Sequence, residues 1–182
     1  MMQPNNVLIL PGWQNSGPEH WQSRWERSHG YQRVEQHDWQ RPLRGDWTAR
    51  LEDVVLSCNE PAVLVAHSLG CMLVAAWAAH SQNTHRVKAA LLVAPPDVER
   101  SDITQMLHSW APVPLGKLPF KSIVFASNND PFCSLERAQF FAASWGASLH
   151  AVRSGGHLNA ASGLGDWAEA HTLLEALTSL RT

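Results

Sequence analysis

Ser68 has the surroundings of a nucleophile. It closes the β-rich apolar run Ala62-Val63-Leu64-Val65-Ala66-His67, and the helix-forming run Cys71 to Ala79 begins just after it. A serine on a tight strand-to-helix turn is held out for attack, provided that its neighbours are small. Ala66 stands two residues before it and Gly70 two after, so the pattern is G-x-S-x-G with alanine at the first glycine. The bland alternative is an ordinary Ser-Leu-Gly turn at a strand end.

A serine hydroxyl is a weak nucleophile at neutral pH, and it needs a base, itself oriented by an acid. In strand–serine–helix elbows of this kind the acid and then the base follow later in the chain, in loops beyond strand carboxyl ends. Asp130 lies in Ser127-Asn128-Asn129-Asp130-Pro131, and His157 lies in Ser154-Gly155-Gly156-His157. Asp97, His150 and His171 are the rivals. The preference goes to Asp130 and His157 because of their loop positions, with a plain Asp-Pro turn as the alternative for Asp130. An oxyanion would need two backbone donors. The N–H groups of Leu69, directly after the serine, and Trp13, in the loop Pro11-Gly12-Trp13-Gln14-Asn15, are the candidates.

The elements that must carry these loops alternate between strand and helix. Apolar β-type runs fall at Val7–Leu10, Arg33–Gln36, Ala62–Ala66, Ala89–Ala94, Ser122–Ala126 and Leu149–Val152. Helical patterns fall at His20–Ser28, Trp47–Ser57, Leu69–Ala79, Leu135–Trp145 and Trp167–Leu180. Strands that are apolar throughout suit a parallel sheet covered on both faces, so the expectation is an open three-layer α/β/α sandwich with about six mostly parallel strands. The chain of 182 residues suits one domain spanning 1–182. A Pro-rich connection at 95–121 is read as a short cap-like insertion, with a helix expected at Ile103–Trp110. Trp13, Gln14, Asn15, Met106 and Trp110 are the expected pocket residues.

Composition narrows the partners. A net charge of −2 gives no electrostatic case for nucleic acid or an anionic membrane. No run is long enough to span a bilayer, and the N-terminus lacks the pattern of a secretory leader. Cys58, Cys71 and Cys133 have unrelated spacings and read as free thiols in a cytoplasmic protein. The ten histidines form no metal-binding spacing. No Gly-rich nucleotide motif appears, so neither a metal nor a cofactor is expected. Of the nine tryptophans, Trp25 and Trp47 read as packing residues, whereas Trp13 must border the serine.

With the elbow, Asp130 and Gly156-His157 on the page, the chain resembles an α/β-hydrolase. More closely, it resembles the small serine hydrolases of the retinoblastoma-binding protein nine family and its bacterial YdeN-like members. The marks are Pro11–Ser16, His20-Trp21 with Trp25, Asp38-Trp39, Trp47, the elbow, Ser127–Cys133 and Gly156–Gly163. The resemblance implies strand order 2-1-3-4-5-6 and Ser68, Asp130 and His157 as a triad. The function expected is cofactor-independent hydrolysis of small esters, with amides and thioesters as further options. A binding or scaffold protein with vestigial chemistry is the alternative from another class. In the family's namesake the pattern L-x-C-x-E, here Leu56-Ser57-Cys58-Asn59-Glu60, suggested binding to a pocket protein. The preferred reading is that Leu56 continues the apolar helix stripe and Asn59-Glu60 turns into the next strand.

Overall fold

The structure, a computed structural model, describes residues 6–179; the expected helix end at Leu180 lies outside them. Six strands form one sheet: β1 (Val7–Leu10), β2 (Gln32–Arg33), β3 (Ala62–His67), β4 (Val87–Val93), β5 (Lys121–Ser127) and β6 (Ser148–Val152). Their order is β2-β1-β3-β4-β5-β6, and every neighbouring pair is parallel. This is the α/β-hydrolase sheet order implied by the sequence resemblance.

The apolar strands bury both of their faces. Leu8, Leu10, Leu64, Ala66, Leu92 and Val124 join the core on one side, with α2 (Arg44–Ser57), α3 (Leu69–His80) and α5 (Leu135–Trp145). Ile9, Val63, Val65, Leu91, Val93 and Phe125 join the core on the other, with α1 (Trp21–His29) and α6 (Ala168–Ser179). Alternation along each strand thus feeds two helical layers, which is why the runs read as continuously hydrophobic. Most tryptophans are packing groups. Trp21 meets Trp25 and Trp167 edge-on at 4.8 and 5.3 Å, and Trp47 meets Trp39 and Trp110 edge-on at 5.4 Å each.

Three sequence expectations need correction. The second strand is Gln32–Arg33, earlier than Arg33–Gln36, because pairing at this edge runs through Leu8–Gln32 and Ile9–Arg33. An edge strand is set by main-chain pairing, which hydropathy does not report. Leu56 does not continue the buried stripe: it is 47% exposed, while Trp47, Leu51, Val54 and Val55 are buried. Since α2 runs through Ser57 and Cys58 is buried, extended docking of Leu56–Glu60 would unwind the last turn and lift Cys58 from the core.

The third correction concerns the insertion. The helix expected at Ile103–Trp110 breaks into α4 (Ser101–Thr104) and a 3₁₀ turn at His108–Trp110. The Thr104 hydroxyl donates back to Val98 O at 2.6 Å, and Trp110 is pulled inward by Nε1 donating to Pro42 O at 2.9 Å. Among the described residues, no helix is long and apolar enough to cross a membrane.

Candidate active site

The sheet order reverses between β1 and β3, since β2 lies outside β1; such switch points open a crevice at strand carboxyl ends. Gly12 follows β1 there and Ser68 follows β3. Buried Gln22 ties the two strands together just beneath, its amide donating to Leu10 O at 3.2 Å and to Val65 O at 3.0 Å.

Ser68 has φ +54° and ψ −122°, a strained conformation for a side-chain-bearing residue. The close quarters explain the two glycines. A Cβ on Gly70 would fall 2.3 Å from Leu10 O, and one on Gly12 would fall 2.9 Å from Ser68 Cβ and 3.1 Å from Leu69 N. Leu69 opens α3, so its N–H sits at the positive end of a 12-residue helix. Trp13 comes directly after Gly12. The next two residues, Gln14 and Asn15, have left-handed φ of 66° and 67°, and their N–H groups donate to Trp39 O and Gly12 O.

Ser68, His157 and Asp130 form one hydrogen-bonded run. Ser68 Oγ lies 2.9 Å from His157 Nε2, and His157 Nδ1 lies 2.8 and 3.0 Å from the two Asp130 oxygens. The carboxylate can only accept, so Nδ1 carries a proton, and in the neutral ring Nε2 is the acceptor for the Ser68 hydroxyl. The Asp130 side chain is only 3% exposed, and it also accepts from Phe132 N at 2.9 Å.

The two loops that carry Asp130 and His157 are laced together by side chains whose role sequence reading missed. Ser127 Oγ accepts from Gly155 N at 2.8 Å, Asn128 Oδ1 from Ser154 N at 2.7 Å, and Asn129 Oδ1 from Gly156 N at 2.8 Å. Three consecutive polar residues before Asp130 were the available signal. The rivals lie elsewhere. Asp97 pairs with Arg137 at 3.4 Å, His150 stacks on Phe125 with ring centres 5.1 Å apart, and His171 meets the Tyr31 hydroxyl at 2.6 Å.

Above the serine is a cavity of about 290 Å³. Of the five residues expected to face a pocket, Trp13, Gln14, Asn15 and Met106 line it, together with Leu69, Pro96, Ile103, Leu107 and Phe132. Trp110 does not; it is 1% exposed and packed against Trp47. Its amphipathic position was legible, but the direction of its ring was not.

Two further histidines line the cavity, His20 and His67. His67 Nε2 donates to the main-chain O of His157 at 2.9 Å. Burial, then His20 and His157, hold its pKa well below the ordinary imidazole value, so the ring is uncharged. His20 caps α1, its Nδ1 accepting from Gln22 N at 3.2 Å. Its Nε2 is buried and has no hydrogen-bond partner. A buried donor left unpaired costs about 1–3 kcal/mol, and such costs concentrate at functional positions.

The three cysteines are free and buried, and burial pushes the Cys133 thiol up to about 12. Thiols buried in this way are poor nucleophiles at neutral pH. Among the described residues, no group of three or more His, Cys, Asp or Glu side chains is arranged to hold a metal ion.

A family model described as serine hydrolase matches residues 7–176. A crystal structure of a YdeN-like hydrolase from Pectobacterium atrosepticum is 30% identical, with 97% of this chain and 92% of that chain covered and a TM-score of 0.84. The ydeN gene product of Bacillus subtilis is 23% identical, over 97% of this chain and 100% of that one, with a TM-score of 0.77. Carboxylesterase CesB of Bacillus subtilis shares the fold at 13% identity, over 97% and 84% of the two chains, with a TM-score of 0.65. No curated protein matches the sequence.

Proposed function

This chain belongs to the serine hydrolase family, and from that premise we propose that it is a cofactor-independent carboxylesterase that cleaves small esters through an acyl-enzyme on Ser68. The observation that carries the reading is the run from Ser68 Oγ through His157 to Asp130, at 2.9 and 2.8 Å.

His157 Nε2 takes the Ser68 proton as Oγ adds to the ester carbonyl. The N–H groups of Leu69 and Trp13 hold the resulting oxyanion, helped by the N-terminus of α3. Protonated His157 then gives its proton to the departing alcohol, leaving the acyl group on Oγ. Water, deprotonated by His157, repeats the addition and releases the acid. Asp130 fixes the tautomer and stabilises the imidazolium in both halves.

The cavity of about 290 Å³ sits at the lower end of the roughly 300–1,000 Å³ usual for ligand pockets. Its wall of Pro96, Ile103, Met106, Leu107 and Phe132 suits a short apolar acyl group, and the broken cap is too small for a deep lipid tunnel. We therefore expect preference for short acyl chains and no interfacial activation. The free buried thiols support a cytoplasmic setting.

Labelling with a fluorophosphonate tests the reading. Wild type should form a covalent adduct at Ser68, and Ser68→Ala should lose both labelling and esterase activity. Undiminished labelling of the alanine variant would move the nucleophile elsewhere.

A further inference from the structure

His20 combines three properties. It is 5% exposed, it lines the cavity above Ser68, and its Nε2 has no partner. Its Nδ1 is committed as an acceptor from Gln22 N at the start of α1. The proton of the neutral ring therefore resides on Nε2, and this atom is a donor. Several other polar atoms of the cavity are engaged within the protein, while the Gln14 amide is exposed at its rim. His67 Nε2 donates to His157 O, Asn15 Oδ1 accepts from Ser16 N and Arg33, and Asn159 Oδ1 accepts from Ala161 N.

We propose that His20 is a specificity-determining residue, its Nε2–H donating to an uncharged oxygen acceptor of the substrate other than the scissile carbonyl. The proposal rests on the reading of Ser68 as the esterase nucleophile. Burial, then Arg33 and His157, hold the ring down at about 4, so it meets a ligand as a neutral donor. An ether, hydroxyl or second carbonyl oxygen completes it. An ammonium group would present another donor, and an alkyl group would leave the N–H unpaired. Selectivity of this kind arises because a site built around a buried hydrogen bond penalises the analogue that cannot make it. His67 links the His20 ring to the Ser68 run: the His20 and His67 ring centres are 4.6 Å apart, and those of His67 and His157 are 4.9 Å apart. Ile103, Met106 and Phe132 offer no comparable donor on the cap-side wall.

The test compares esters in which one methylene is replaced by oxygen. One pair varies the acyl side, p-nitrophenyl butyrate against p-nitrophenyl methoxyacetate. The other varies the alcohol side, butyl butyrate against 2-methoxyethyl butyrate. Each is assayed with wild type and His20→Asn. Asparagine still caps the helix through its carbonyl oxygen, but it lacks the ring's distal N–H. The ratio of kcat/KM within a pair cancels intrinsic reactivity between enzymes. We expect the oxygen preference to fall by roughly three- to tenfold in His20→Asn for one of the two pairs. Unchanged ratios in both pairs overturn the proposal.

A second measurement does not depend on folding of that variant. In Ser68→Ala protein with ¹⁵N-labelled histidine, the His20 Nε2–H resonance should move downfield on saturation with the oxygen-bearing ester and not with its alkyl counterpart. A resonance that responds alike to both esters is the overturning result. Should wild type turn over none of the four esters, it is the esterase reading that fails, and this binding measurement still decides the role of His20.

Discussion

His67 Nε2 donates to the main-chain carbonyl of His157 at 2.9 Å, which ties the residue before Ser68 to the histidine loop 90 positions later. The bond closes a ring: the chain runs from His67 into Ser68, and Ser68 returns to the same His157 through Oγ and Nε2. The imidazole of His157 is therefore held from its backbone as well as from its carboxylate partner. Small displacements between reacting groups carry large rate penalties, so on the proposed mechanism this clamp should have a kinetic consequence.

His67→Leu should lower kcat by roughly ten- to a hundredfold with little change in KM. His67→Gln retains a terminal N–H and should recover most of the loss. Steady-state kinetics on one short ester separates the outcomes. Equal losses in both variants would assign His67 a packing role only.

Asp130→Asn should reduce turnover by roughly 10⁴, the loss seen when a triad carboxylate becomes an amide and the imidazole takes the wrong tautomer. Asp97→Asn should leave turnover nearly intact, because that carboxylate is paired with Arg137, 3.4 Å away. Comparing kcat for the two variants decides the acid, and similar losses would shift the role toward the loop after β4.

Much of this arrangement was legible in the sequence because it depends on chain order. Ser68, Asp130 and His157 each follow a strand rich in apolar residues, and the parallel sheet then collects those strand ends on one edge. Legibility stopped where the direction of a side chain decides the outcome. Trp110 had the spacing of a pocket residue, yet Pro42 O draws its indole into the core. Leu56 had the spacing of a buried stripe, yet α2 presents it to solvent. His20 and His67 had no periodic signature, since each role comes from contacts across elements, such as the 90-residue separation of His67 from His157. Ser127, Asn128 and Asn129 looked like a turn, and only the folded sheet brings them against residues 154–156.

Stability should fall as the medium is acidified from pH 6.5 toward 4. The folded pKa of His20 lies at about 4 against an ordinary 6.5, so in this window the unfolded chain binds a proton that the folded chain refuses. Folding then opposes protonation, and stability rises with pH. The full effect for His20 is on the order of 3 kcal/mol, and His67 acts in the same direction through its burial. Thermal melts of wild type and His20→Asn between pH 7 and 4.5 check it. The variant should lose less of its Tm over this range, whereas parallel curves would show that His20 is not the group responsible.

The final prediction separates the wall of the cavity from its support. Met106 lines the cavity and is 55% exposed. Truncating it removes cavity-facing atoms without opening the core, so the floor of the cavity and the Ser68–His157–Asp130 run should be unaffected. Met106→Ala should shift the optimum acyl length upward, raising kcat/KM for hexanoate relative to acetate by roughly tenfold, the low end of what one methylene commands in a pocket. Trp110 is 1% exposed, donates to Pro42 O at 2.9 Å and packs edge-on against Trp47. Trp110→Ala leaves a void and an unpaired carbonyl beneath the cap, at a cost of about 3–5 kcal/mol, and should appear as a lowered Tm with the chain-length profile retained. Profiles on p-nitrophenyl esters from acetate to octanoate, read beside melts of both variants, distinguish the two roles. A profile moved by Trp110→Ala and left alone by Met106→Ala would mean that selectivity follows from how the insertion is anchored rather than from the residues that face the cavity.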